Sequence, residues 1–247
     1  MRKSSKIEWT EATWNPTVGC DKVSAGCKNC YAETMARRLQ AMGTPGYEEG
    51  FKFQMLPARL SHPYSVTKPT TFFVNSMSDL FHEQCDYSFI DRVFEVIANT
   101  PQHTYQILTK REQILGDYFA DKTAPNNCWI GVSVENKTFQ HRITALRATN
   151  ITNRFLSLEP LIGPLEEMNL DGIGWVIVGG ESGHRARPMK EEWALDIKRQ
   201  CEEQDVPFFF KQWGTFGEDG VKRSKKANGR KLAGKQYNSQ PQTQSMT

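Results

Sequence analysis

The sequence predicts an α/β protein built on parallel strands, and three observations carry that reading. Seven short apolar runs punctuate the chain, one near NPTVG and the others in TTFFVN, TYQILT, WIGVSVE, RFLSLEP, WVIVGG and PFFFKQW. Stretches with helical periodicity lie between most of them, among them FIDRVFEVIANT, REQILGDYF, FQHRITALRAT and EEWALDIKRQCEEQ. Strands that alternate with helices pair in parallel through right-handed crossovers. Polar residues also gather directly after nearly every apolar run, which is where parallel α/β folds place their active face. Periodicity leaves open whether the sheet is flat or curled into a barrel.

The remaining segments follow from turn and breaker signals. YAETMARRLQAMG reads as an amphipathic helix that Gly43 ends. Residues 43–70 are rich in Gly and Pro and read as a long excursion, a kind of loop that is usually functional or flexible. LIGPLEEM is a link between two strands.

Composition bounds the rest. At 247 residues one large α/β domain is expected over residues 1–213, with the cysteine loop described below near its start and a basic, polar C-terminal tail over 214–247. The hydrophobic content of 38% and charged content of 24% are ordinary for a globular protein. No apolar run approaches the roughly 18 residues of a membrane span. The beginning MRKSSKIEWTEA lacks the apolar core of a secretory signal, so a cytoplasmic protein is expected. Six cysteines, three of them clustered, suit a reducing compartment and metal binding better than a disulfide framework. Cys85, Cys128 and Cys201 follow no pattern and read as buried apolar thiols. A net charge of +3 is mild, but residues 222–235 hold seven Lys or Arg and no acid, a stretch suited either to phosphate contact or to simple solubility.

The chemistry-bearing stretch is WNPTVGCDKVSAGCKNCYAETMARR, which sets Cys20, Cys27 and Cys30 in a C-x6-C-x2-C spacing ahead of a helix. Three thiolates on one loop can hold three irons of a 4Fe–4S cluster and leave the fourth iron open to a small ligand. Gly19, Ser24 and Gly26 give the loop freedom to wrap such a group. Two other readings stay open: a zinc site completed by a histidine, for which His82 and His184 sit in suitable loops, or three unrelated thiols.

The polar strand ends supply the ligand candidates for one shared pocket with the cysteine loop as its lid. They are Asn75, Ser76 and Asp79; Thr109, Lys110 and Arg111; Ser133, Glu135 and Asn136; Ser157 and Glu159; Gly179, Gly180, Glu181 and Ser182; and Lys211 with Gln212. Ser133, Glu135 and Asn136 offer hydroxyl, carboxylate and amide to ribose hydroxyls. Gly179 and Gly180 let the backbone approach a ligand, and Glu181 can receive an ammonium or a hydroxyl, although a structural turn accounts for the glycines equally well. Glu135 and Glu159 have a second reading as ion-pair partners of Lys110, Arg111 or Arg154. Trp9, Trp14 and Trp213 read as core or rim residues.

The runs IEWTEATWNPTVGC and SAGCKNCYAE resemble the signature of a phage-borne family of three-cysteine-motif proteins of unknown function, distantly related to radical S-adenosylmethionine (SAM) enzymes. The similarity continues through SMSDLF, LTKR, GVSVEN, SLEPL and VGGESG to about Trp213. It implies a partial (β/α) barrel of six to seven mostly parallel strands, a 4Fe–4S cluster on Cys20, Cys27 and Cys30, and bound SAM. Most radical SAM enzymes place three residues between the first two cysteines, and this chain has six. In many of them a Gly-Gly-Glu run after the second strand contacts the SAM amino group. Here that run follows the sixth strand, and Asn75, Ser76 and Asp79 occupy the second-strand slot. The implied activity is generation of a 5′-deoxyadenosyl radical that modifies an unidentified substrate, with a nucleobase or nucleic acid favoured. It requires an electron donor and leaves room for a partner protein. The rival is a non-catalytic nucleic-acid- or partner-binding module with structural zinc at the same cysteines.

Overall fold

The computed structural model describes residues 9–241. Residues 1–8, where the run beginning at Ile7 starts, and 242–247, the end of the expected tail, lie outside the described residues. The chain divides into two units, one of residues up to 132 with 148–153, the other of residues 133–147 with those from 154 onward.

The first unit contains β1 (Ala12–Trp14), β2 (Thr17–Val18), α1 (Tyr31–Ala41), β3 (Gln54–Met55), β4 (Thr71–Val74), α2 (Tyr87–Ala98), β5 (Thr104–Thr109), α3 (Glu112–Tyr118) and β6 (Cys128–Ser133), whose final residue opens the second unit. Strands β1, β4, β5 and β6 lie side by side and parallel, with Trp14 opposite Val74, Val74 opposite Ile107 and Thr109 opposite Val132. The expected first strand near NPTVG divides in two. Trp14 ends the parallel strand, Pro16 brings no ladder donor, and Thr17–Val18 pairs antiparallel with Gln54–Met55 in a separate small sheet. Helix α2 buries Phe89, Ile90, Val93, Phe94, Val96 and Ile97, the i, i+1, i+4, i+5, i+7, i+8 stripe of a helix laid on a sheet. Beneath it, Phe72 stacks on Tyr105 at 5.5 Å, and Trp14 donates its indole N–H to the Arg59 carbonyl at 2.8 Å.

The second unit contains α4 (His141–Arg147), β7 (Arg154–Leu158), β8 (Trp175–Gly179), α5 (Glu191–Glu203), β9 (Phe208–Gln212) and α6 (Lys225–Asn228). Strand β8 runs parallel to β7 on one side and β9 on the other and is buried along its whole length, as a strand covered on both faces should be. Arg142, on α4, donates to the Ser133 carbonyl at 2.9 Å and to Glu135 at 3.1 Å, and its guanidinium lies over the Phe139 ring. Both partners are buried, so the pair ties α4 to the chain leaving β6.

Within the expected basic, polar tail of residues 214–247, the described part makes backbone and side-chain contacts with the strand before it. The Phe210 N–H donates to the Tyr237 carbonyl at 2.9 Å, and Phe209 forms an antiparallel bridge with Asn238. Trp213 and Trp175 donate their indole N–H groups to Lys231 and Ser239 carbonyls at 2.6 and 2.9 Å. Leu232 is fully buried. Backbone pairing and one apolar anchor hold the segment along the edge of β9, where an uncovered strand would otherwise expose its ladder groups.

Two stability predictions follow from these contacts. Leu232→Ala is expected to lower the unfolding free energy by about 2–4 kcal/mol in urea titration, the cost of a buried cavity. Arg142→Ala is expected to cost about 1–3 kcal/mol, because the buried Glu135 carboxylate and the Ser133 carbonyl would each lose a hydrogen bond. A loss under about 0.5 kcal/mol in either case would place that residue outside the core.

Candidate cluster loop and polar strand ends

The cysteine loop is fastened before it begins. Gly19 donates its N–H to the Met77 carbonyl at 3.0 Å and accepts the Ser78 hydroxyl at 2.6 Å, while the Cys20 N–H donates to the Phe51 carbonyl at 3.1 Å. Gly19 has φ of +76°, and a Cβ there would meet the Lys52 carbonyl oxygen at 2.0 Å, so only glycine can deliver Cys20 along this path. Further on, the Cys27 N–H donates to the Ser24 carbonyl at 3.0 Å, and the Ser24 hydroxyl lies 3.5 Å from the Cys27 sulfur. Cys30 caps the start of α1 and packs against the cluster of Val18, Ala32, Ala36, Tyr47 and Met77. Tyr31, the next residue, donates its hydroxyl to the Ser76 carbonyl. Cys20, Cys27 and Cys30 are half-buried free thiols, whereas Cys85, Cys128 and Cys201 are buried, as expected of apolar thiols.

Behind the loop stands Arg111, at the carboxyl end of β5 and only 5% exposed. It donates through Nη1 to Asp79 at 3.2 Å and to the Cys20 sulfur at 3.4 Å, through Nε to Glu83 at 2.8 Å, and through Nη2 to the Asp21 carbonyl at 3.3 Å. Asp79 accepts from the Thr109 hydroxyl at 2.7 Å and from the Phe81 and Lys110 N–H groups at 3.1 Å each. With Arg111 added, protein donors take both carboxylate oxygens twice over, so Asp79 holds the arginine. His82 stacks flat on Phe53, accepts the Gln84 N–H at Nδ1 and places Nε2 3.3 Å from the Asp21 carboxylate. Burial, assisted by Arg111, keeps the His82 pKa below its usual value. Burial, reinforced by Asp79 and opposed by Arg111, pushes the Cys20 thiol up to about 12.

The other two second-strand candidates part ways. Ser76 donates its hydroxyl to the Asn15 side chain at 3.2 Å, a structural use. Asn75 adopts φ of 59°, accepts the Thr17 N–H at 3.2 Å through Oδ1, and has its Nδ2 buried with no hydrogen-bond partner. A buried amide donor left unpaired is costly unless a ligand meets it.

The donor set fits a cluster better than a single ion. Among the described residues no group of three or more His, Cys, Asp or Glu side chains is placed to hold one metal ion. A single zinc draws all its thiolates to about 2.3 Å from one point. A 4Fe–4S cluster makes no such demand, since each thiolate takes a different iron. Three half-buried thiols spread over one loop, with a cationic donor on the first, meet that requirement.

In the second unit each of the predicted ligand acids has a counter-ion: Glu135 pairs with Arg142 at 3.1 Å, Glu159 with Lys211 at 2.7 Å, and Glu181 with Arg187 at 2.6 Å. Glu181 also accepts the Arg187 Nε–H and backbone N–H, each at 2.8 Å, and the contact raises the arginine pKa. Asn136 accepts the Thr138 N–H at 3.0 Å and starts a helical turn. Gly179 and Gly180 are needed for packing. A Cβ at Gly179 would press on the Glu159 carboxylate at 3.0 Å, and one at Gly180 would meet the Trp213 carbonyl at 1.9 Å. Among the predicted strand-end residues of this unit, the Ser133 hydroxyl and Oε1 of Gln212 are buried without a hydrogen-bond partner. Sequence reading placed Arg111, Lys211 and Gln212 at strand ends but missed their partners, and it passed over Asn15, Arg142 and Arg187, whose hydrogen-bond partners lie 6 to 62 residues away.

Comparison with curated proteins found no significant match. Solved structures of spore photoproduct lyase are similar in fold. A cysteine-to-serine mutant of that enzyme gives a TM-score of 0.50 at 15% identity, covering 82% of this chain and 62% of the lyase. The lyase complexed with dinucleoside spore photoproduct gives 0.49 at 15% identity over the same shares. A double mutant with bound AdoMet and the dinucleoside gives 0.45 at 14% identity, covering 81% and 63%. This chain thus spans about 62% of the lyase's length. The likeness is one of fold, and it agrees with the radical SAM-like partial barrel that the sequence resemblance implies. No described helix is long and apolar enough to cross a membrane. Residues 4–241 match the family described as Protein of unknown function (DUF5131), and the chain belongs to that family.

Proposed function

We propose that this chain is a radical SAM-like enzyme in which Cys20, Cys27 and Cys30 hold a 4Fe–4S cluster and SAM occupies the iron they leave open. The observation that carries the reading is the loop itself: three half-buried free thiols, shaped by a glycine that no other residue can replace, with a buried guanidinium donating to the first sulfur. When bound, the cluster and SAM together supply a one-electron cleavage of SAM to a 5′-deoxyadenosyl radical. The protein supplies position and exclusion of water. Of the predicted ligand residues in the unit that carries the cysteine loop, Asn75 is the one proposed to touch SAM, because it keeps a buried amide nitrogen unpaired. Asp79, Glu135, Glu159 and Glu181 are proposed to act one step back, fixing the cations beside them, while Ser76, Asn136, Gly179 and Gly180 shape the backbone.

The proposed substrate is a nucleobase within a nucleic acid. Residues 222–235 bring seven cations with no acid, and Arg230 among them donates to the Lys211 carbonyl on β9. Cationic side chains that meet phosphates release counterions, so such binding is salt-dependent. An external electron donor completes the scheme, in a cytoplasmic setting and with room for a partner protein.

Anaerobic reconstitution is expected to give about four iron and four sulfide per chain. Replacing Cys20, Cys27 or Cys30 with Ala should each abolish the broad visible absorption, while Cys85→Ala, Cys128→Ala and Cys201→Ala keep it. One tightly held zinc and a colourless protein would instead establish the zinc-module rival. With the cluster loaded, Asn75→Asp, which keeps the side-chain oxygen that the Thr17 N–H uses but removes the amide donor, should weaken SAM binding by about 0.5–1.5 kcal/mol in calorimetric titration, the worth of one hydrogen bond. Reduction with dithionite should then release 5′-deoxyadenosine, detectable by chromatography. A loaded, reduced protein that neither binds nor cleaves SAM would end the enzyme assignment.

A further inference from the structure

Resting on the cluster reading above, we propose that Arg111 is a positioning residue for Cys20 and that its buried charge raises the reduction potential of the cluster. Four contacts define its place. Nε is taken by Glu83, Nη2 by the Asp21 carbonyl, and Nη1 is shared between Asp79 and the Cys20 sulfur. A planar guanidinium anchored on three sides cannot turn away, so one N–H is held toward the sulfur. The anchor is itself fixed, because Asp79 is held by two backbone N–H groups and the Thr109 hydroxyl. The arginine side chain is 4% exposed, which leaves its charge poorly screened by water.

The electrostatic consequence follows from the ligand chemistry. Reduction adds a negative charge to a group already bound by anionic thiolates, and a hydrogen-bonded cation at one of those sulfurs favours the reduced state. Hydrogen bonds to the sulfurs and local net charge are the levers by which proteins set cluster potentials. Glu83 acts against Arg111. Its side chain is 53% exposed and it offsets part of the guanidinium charge, so the two residues should move the potential in opposite directions. A purely structural arginine, present only to neutralise Asp79 and Glu83, would move stability and leave the potential of the folded, loaded protein where it was.

The test is a redox titration of the reconstituted protein followed by electron paramagnetic resonance, with iron content measured alongside. Arg111→Met should lower the potential, Arg111→Lys should give an intermediate value, since it keeps charge without the fork, and Glu83→Gln should raise it. A loaded Arg111→Met protein with the wild-type potential overturns the proposal. If Arg111→Met fails to fold, Arg111→Lys and Glu83→Gln decide, and an unchanged potential in both overturns it equally. A wild-type chain that takes up no cluster defeats the underlying reading and this one with it, whereas a normal cluster with an insensitive potential defeats this one alone.

Discussion

The buried guanidinium of Arg111, held between Asp79 and the sulfur of Cys20, is the constraint on which the first unit's chemistry depends. A charge 4% exposed must be paired, because an unpaired one would cost several kcal/mol. The pairing in turn requires Asp79 to stand at the end of β5, although it belongs to the chain leaving β4. The parallel register settles this: Val74 lies opposite Ile107, so the residues after Val74 run beside Thr109, Lys110 and Arg111. The Lys110 N–H and the Thr109 hydroxyl then fix the carboxylate, and the carboxylate fixes the arginine. Sheet register, carboxylate, guanidinium and thiol form one line of cause, from main-chain pairing to the group that would meet iron.

The second unit solves a similar problem three times without a thiol at the end. Glu135, Glu159 and Glu181 follow β6, β7 and β8, and they pair with Arg142, Lys211 and Arg187 respectively. An acid engaged in this way orients its partner. Among the predicted strand-end residues, those with a buried polar atom that no hydrogen bond takes up are neutral: Ser133 and Gln212 here and, in the first unit, Asn75. Burial without a partner distinguishes them from polar residues that sit at strand ends merely because water is near.

What the sequence made legible was periodic or covalently local. The strands over TYQILT and WVIVGG, the helix over FIDRVFEVIANT and the three-cysteine loop all appear where their patterns place them, because side-chain burial on a sheet or helix imposes a fixed repeat. The place of the first parallel strand at Ala12–Trp14, ahead of NPTVG, with Thr17–Val18 in a separate small sheet, was not legible, because the Asn15 side chain between them accepts from Ser76 and Met77, residues more than 60 positions away. Nor were the counter-ions. Glu159 and Lys211 are 52 residues apart, and nothing in either neighbourhood encodes the other. The C-terminal segment misled for a different reason: composition reports how much apolar surface a stretch can bury, whereas residues 214–241 are held by backbone hydrogen bonds and Leu232.

The six residues between Cys20 and Cys27, the main departure from the radical SAM spacing, acquire a physical meaning in this setting. Asp21 turns its carbonyl to Arg111 and its carboxylate toward His82, which lies flat on Phe53. On the other side Lys22 reaches Glu33 on α1 at 2.8 Å, and that contact, with Arg37, draws the Glu33 pKa down. The extra length is therefore tied to the network behind β5 at one end and to the first helix at the other. Exposed ion pairs such as Lys22–Glu33 contribute little stability by themselves, but His82 and Arg111 are buried, and contacts to buried groups restrict a loop far more firmly. The placement of the three thiols depends on where the loop is fastened, at Gly19, Asp21, Ser24 and Cys30.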